Sequence, residues 1–302
     1  MTDVAVVENK TESALQAYLN PEDIPESLEG MSDDEIRGLA GQNYEGPQGL
    51  PQLTINHFAE DDDGNKLPRG QWQVFAKDAG GTVFGETVLF RPFLRTFSYA
   101  VWDNEEAKFS SQSVQLEGFN KGPFLDTTGT EKCGRLSEDE LKGLDPNSPE
   151  AALSKEVKCT QLVYGLVSFE GADAEGNKQV VENLPCVWRA RGASYNGADS
   201  ILKELSKRKR NWHMTVLKLE SEKKKKGGNN YFAASAVMSG EVDEFPVEEQ
   251  EVMLGFMKTY RGFNAWVADK FVEARKGVAT NVEDTLEAQF EEVDDPDDEI
   301  PF

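Results

Sequence analysis

The chain is predicted to fold as a mainly β body with added helices, held between flexible acidic ends. Three observations point there. From Leu53 onward, segments rich in β-branched and aromatic residues follow one another between Gly, Asn and Asp turns. One long stretch, Glu248 to Phe271, repeats its apolar residues at helical spacing. The charge is also unevenly spread. Residues 1–63 hold fifteen acids and two bases, residues 277–302 hold ten acids and no base, and residues 64–276 hold thirty of each. The formal net charge of -23 therefore belongs to the two ends, and a neutral body is compatible with an anionic ligand.

Taken in order, residues 1–50 form an acidic arm with Pro21, Pro25, Pro47 and only short apolar clusters. One helix is expected near Glu12 to Leu19, and Ser32-Asp33-Asp34-Glu35 has the pattern that caps a second through Leu39. The body spans 51–275. Its expected strands are Gln71 to Lys77, Thr82 to Phe90, Arg95 to Trp102, Val157 to Phe169, Val180 to Ala190, Trp212 to Glu220 and Tyr231 to Ser239. Strands at this density favour a barrel or a sandwich. The last two frame Lys223-Lys224-Lys225-Lys226 and Gly227-Gly228-Asn229-Asn230, which read as a hairpin with a basic, flexible tip. Asp139 to Leu144 and Ile201 to Lys209 are expected short helices. In the main helix Val252, Phe256, Tyr260, Phe263, Val267 and Phe271 form an aromatic stripe that should pack on the sheet. An acidic tail, 276–302, ends the chain, and there is no internal repeat.

Bases cluster inside the neutral body. Residues 203–226 carry ten, including Lys207, Arg208, Lys209, Arg210 and Lys223 to Lys226, against three acids. Two stretches join bases to rings. Arg91, Phe93, Arg95, Phe97 and Tyr99 alternate along a strand-like segment and so share one face. Trp188-Arg189-Ala190-Arg191 is followed, after the 207–210 run, by Trp212. Rings that stack bases beside cations that hold phosphates form the kind of surface that takes single-stranded nucleic acid, each stacked base contributing ~1 to 3 kcal/mol. The same rings, at period two, equally fit a buried core with the arginines at its rim.

The chain ends Asp297-Asp298-Glu299-Ile300-Pro301-Phe302. Phe302 offers a rigid ring, Pro301 limits the freedom lost on docking, and the terminal carboxylate suits a basic pocket on a partner. This tip resembles the C-terminal tip of bacterial single-stranded DNA-binding proteins, with Glu299 where that pattern has aspartate. The larger body and acidic end resemble phage-type single-stranded DNA-binding proteins. The resemblance implies an OB-like β-barrel core and largely sequence-independent binding of single-stranded DNA in replication, recombination or repair. It also implies recruitment of replication or recombination proteins through Asp297 to Phe302.

Other classes find little footing. Cys133, Cys159 and Cys186 are far apart and odd in number, which favours free thiols and a reducing compartment, hence the cytoplasm. His57 and His213 are the only histidines, so no usual zinc spacing exists, and neither metal nor cofactor is expected. No phosphate-binding loop, His-Glu-x-x-His or Gly-x-Ser-x-Gly occurs, so no enzyme is expected. Asp61-Asp62-Asp63 reads as an exposed turn rather than a magnesium site of a nuclease. No apolar run reaches the ~20 residues of a membrane helix, so no membrane partner is expected. The rival from another class is an interaction scaffold that uses the same tip without binding DNA, and a metal-dependent nuclease ranks third.

Overall fold

In a computed structural model, residues 50–60, 64–103, 108–119, 124–131, 133, 136, 138–226 and 229–290 are described. The expected arm helices, Asp61 to Asp63 and the tip from Asp297 to Phe302 lie outside them. The architecture is mainly β, built on an OB-like closed barrel of five strands with helices added.

The barrel uses β1 (Gln52–Ile55), β2 (Trp72–Ala76), β3 (Gly81–Gly85), β6 (Lys158–Ala172) and β7 (Lys178–Arg191). Strands β1, β2 and β3 form an antiparallel meander, β1 lies parallel to β7, and β7 is antiparallel to β6. A β3 to β6 pairing at Phe84 and Ala172 closes the ring. The interior is filled by large rings and branched side chains, as a barrel this small requires. Trp72 packs edge-on against Trp188 with centroids 5.9 Å apart, and Phe90 meets Trp188 in the same way at 5.8 Å. Val74, Val163, Val167, Leu217 and Leu219 complete this core.

The sheet continues beyond the barrel. Strand β4 (Thr87–Asp103) pairs with β6, then with β8 (Thr215–Lys226), which pairs with the edge strand β9 (Asn229–Glu241). The short β5 (Lys108–Gln112) pairs with the far end of β4. The lysines assigned to a hairpin tip instead lie in β8. Lys223 to Lys226 pair with Phe232 to Asn229, and only Gly227 and Gly228, outside the described residues, separate the strands.

Helices α1 (Glu138–Gly143) and α2 (Pro149–Glu156) precede β6. Helix α3 (Tyr195–Lys207) begins four residues after β7 ends at Arg191 and buries Ala198, Ile201, Leu202 and Leu205 in the barrel core. That spacing is one face of a helix. Gly197 permits its close seating, because a Cβ there would come within 2.3 Å of the Ala234 carbonyl oxygen.

Helix α4 (Val247–Phe290) starts just after Pro246, whose fixed φ and missing N–H suit a helix entry. Its aromatic stripe packs on the sheet as the period predicts. Phe256 and Tyr260 join Phe93, Tyr164 and Leu166, while Val267 and Phe271 join Phe97, Tyr99 and Val101. Asn264, 1% exposed, sits in the middle of that stripe. It accepts the Gln115 N–H at 2.6 Å and donates to the Gln115 carbonyl at 2.9 Å, so an irregular segment finds its backbone partners on the helix. The helix runs through the boundary drawn at 275 and 276. No helix among the described residues is long and apolar enough to cross a membrane.

Candidate nucleic-acid interface

Strand β7 sorts the motif Trp188-Arg189-Ala190-Arg191 by its two-residue period. Cys186, Trp188 and Ala190 point into the barrel, whereas Val187, Arg189 and Arg191 line a cavity outside it. Pairing with β6 sets Arg191 opposite Thr160 and Arg189 opposite Leu162, and Lys158 follows one step along the same face. Three cations from two strands thus gather on the outer sheet.

They sit where two cavities meet. One, of about 250 Å³, lies between this face and helix α4, with Phe109, Gln112, Thr259 and Phe263 on its other walls. The second, of about 770 Å³, runs toward the β8–β9 hairpin past Phe119, Tyr195, Tyr231 and Phe232. Lys158 and Arg191 line both. No carboxylate lines either cavity among the described residues, in a chain with 55 acids.

The field there is positive. Burial, and then the neighbouring Arg191, press Arg189 below the ordinary guanidinium value, with Tyr164 opposing them. His57 is held below its ordinary 6.5 by burial, then by Arg191 and Arg69. Arg69 lies 5.8 Å over the Phe232 ring, and the His57 ring is 6.4 Å from it. Lys223 and Lys225 stand directly across from Phe232 and Asn230, so they share the Phe232 face and extend the basic track along the hairpin. Phe119, 49% exposed, stands over buried Phe97 and presents a ring beside it.

Several predicted residues serve elsewhere. Phe93, Phe97, Tyr99 and Trp188 are buried and give no stacking surface, because both faces of β4 and the inner face of β7 are covered by core. Arg91 is buried and makes a two-pronged pair with Glu249 at the start of α4. Arg95 lies 3.6 Å from Asp199 and is sandwiched over the rings of Phe97 and Trp212, at 5.0 and 5.2 Å. Trp212 is half-buried against the barrel core. Arg208 pairs with Glu204, Arg210 with Glu241 and Lys224 with Glu222, so local carboxylates neutralise much of the basic run. Lys207 and Lys209 are exposed at the end of α3, away from the cavities.

The chain matches no protein-family model, no curated protein and no solved structure. Lys158, Arg69, His57 and Phe119 were not legible as site residues in the sequence, since each is an isolated residue that the fold brings in from a different segment. Tyr231 and Phe232 did carry a signal, as two adjacent rings separated from the lysine run only by Gly227 to Asn230.

Of the three free cysteines, Cys133 and Cys186 are buried. Burial pushes the Cys133 thiol up to about 12, with Asp126 adding to the rise and a Ser111 hydrogen bond opposing it. Cys159 is half-buried on the wall of the larger cavity.

Proposed function

We propose that this chain is a non-catalytic, largely sequence-independent single-stranded DNA-binding protein. The observation that supports it best is the groove of two adjoining cavities, without a carboxylate on its walls among the described residues, in which Lys158 and Arg191 meet the rings of Phe119, Tyr231 and Phe232 and Arg189 stands alongside. Phosphates would lie on the cations, and unpaired bases would stack on the rings at ~1 to 3 kcal/mol each. A duplex hides its base faces, so rings in a groove favour the single strand. The resemblance of the tip adds a second role, recruitment of replication or recombination proteins through Asp297 to Phe302. Carried on the same chain as a basic groove, the acidic end would also compete with DNA for it, at an effective concentration set by the reach of the intervening chain.

Fluorescence anisotropy of a labelled oligo-dT strand tests this reading, with the full chain and with a chain lacking Asp294 to Phe302. Binding that weakens with salt and tightens without the tail is expected. Absence of binding by both forms would favour a scaffold that uses the tip alone.

A further inference from the structure

We infer that the smaller cavity, between helix α4 and the β6–β7 face, is a receptacle for one nucleobase turned out of the bound strand; this rests on the single-strand reading above. Its walls combine what a base requires. Phe109 from β5 and Phe263 from α4 supply rings from two different elements. Gln112 and Thr160 supply side-chain hydrogen-bonding groups without partners among the described residues. Lys158, Arg189 and Arg191 stand on the same wall, where the phosphate of an inserted nucleotide would lie. A volume of about 250 Å³ admits a single ring system and excludes a folded peptide or a duplex.

The chemistry also says what the cavity discriminates. A glutamine side chain carries both an acceptor and two donors, and a hydroxyl does either job, so Gln112 and Thr160 adapt to any base edge. The cavity therefore senses the presence of a base more than its identity. Neighbouring groups are already committed. The Gln115 Oε1 accepts from Thr96 and from Tyr164, both at 2.7 Å, and the Tyr164 hydroxyl is pushed up to about 12 mainly by burial, so it stays a donor to Gln115. With that oxygen fixed, Gln112 and Thr160 are among the adaptable contacts on the wall.

Two measurements test this on the full chain. The first compares oligo-dT with an oligomer of equal length and charge made of abasic residues. Wild type should prefer the base-bearing strand, and the double variant Gln112→Met, Thr160→Val and the single variant Phe263→Leu should each lose about tenfold of that preference while keeping the salt dependence. The second needs no variant: an oligomer with 5-iodouracil at one position is photo-cross-linked to wild type and the adduct mapped. Cross-links on Phe109, Phe263 or their sequence neighbours are expected. Cross-links confined to Phe119, Tyr231 and Phe232, with the preference unchanged in both variants, would overturn the base receptacle and leave the groove reading standing. Failure of wild type to bind either strand would defeat the groove reading itself.

Discussion

At the scale of single residues, burial separates framework from interface. Trp188 and Arg191 are three positions apart in one strand, yet one is 1% exposed inside the barrel and the other lies on the outer face. Trp188→Ala should cost about 3 to 5 kcal/mol of stability by chemical denaturation, because a large ring leaves a cavity beside Trp72 and Phe90. Arg191→Ala should stay within about 0.5 kcal/mol of wild type, as a surface change does, and weaken DNA binding instead. His57 gives a pH signature. Arg191 and Arg69 face it along with the Phe232 ring, and its proton is disfavoured in the free protein. A phosphate lodged on those guanidinium groups would offset their charge and raise the His57 pKa. Binding then takes up a proton, so affinity should rise as pH falls through the interval between the depressed free value and the raised bound value, and should level off on either side. Titrations by anisotropy at several pH values should show that rise in wild type and a flat profile in His57→Gln. A rise that persists in the variant would assign it to another group.

At the scale of elements, the long helix is held by few but specific contacts. Asn264 satisfies both backbone groups of Gln115, and Arg91 grips Glu249 at the helix entry. Asn264→Ala would strand a buried donor and a buried acceptor at ~1 to 3 kcal/mol each, so a loss of roughly 3 kcal/mol is expected in a denaturant titration. A change below about 0.5 kcal/mol would mean that the helix is seated by its aromatic stripe alone. Much of this level was legible in the sequence. The helical period of Val252 to Phe271 carried through, because it reports a face and a core, and the strand expected at Val180 to Ala190 forms within β7, although its alternation of buried Trp188 with outward Arg189 and Arg191 went unread. Strand β4 was only half legible. Its rings at Phe93, Phe97 and Tyr99 share a period with Arg91 and Arg95, but the pairing shifts register between Pro92 and Leu94 and core covers the strand on both sides. Period two then marks no exposed face at all. The β1 strand and β5 escaped notice since four and five residues offer too little alternation to stand out.

At the scale of the whole molecule, a chain of net charge -23 keeps a basic groove by segregating its acids. The terminal stretches hold the excess, and in the body four of the ten bases of the 203–226 run, Arg208, Arg210, Lys218 and Lys224, are matched locally by Glu204, Glu241, Glu220 and Glu222. The sequence therefore drew attention to the densest bases, while the cations around the cavities, Lys158, Arg189 and Arg191 with Arg69 beside them, come from two neighbouring strands and a loop. Their convergence depends on long-range pairing, which no local pattern announces. Tail and groove carry opposite charge, which is the condition for competition between tail and DNA. The central claim is that this groove holds the phosphates of a single strand. Its most direct test is the salt dependence of oligo-dT affinity for wild type and for the double variant Lys158→Ala, Arg191→Ala. Each phosphate contact on a single strand contributes roughly 0.7 to the slope of log affinity against log salt, so the variant should bind more weakly with a slope shallower by about 1.4. Equal slopes for the two proteins would place the phosphates elsewhere and contradict the account.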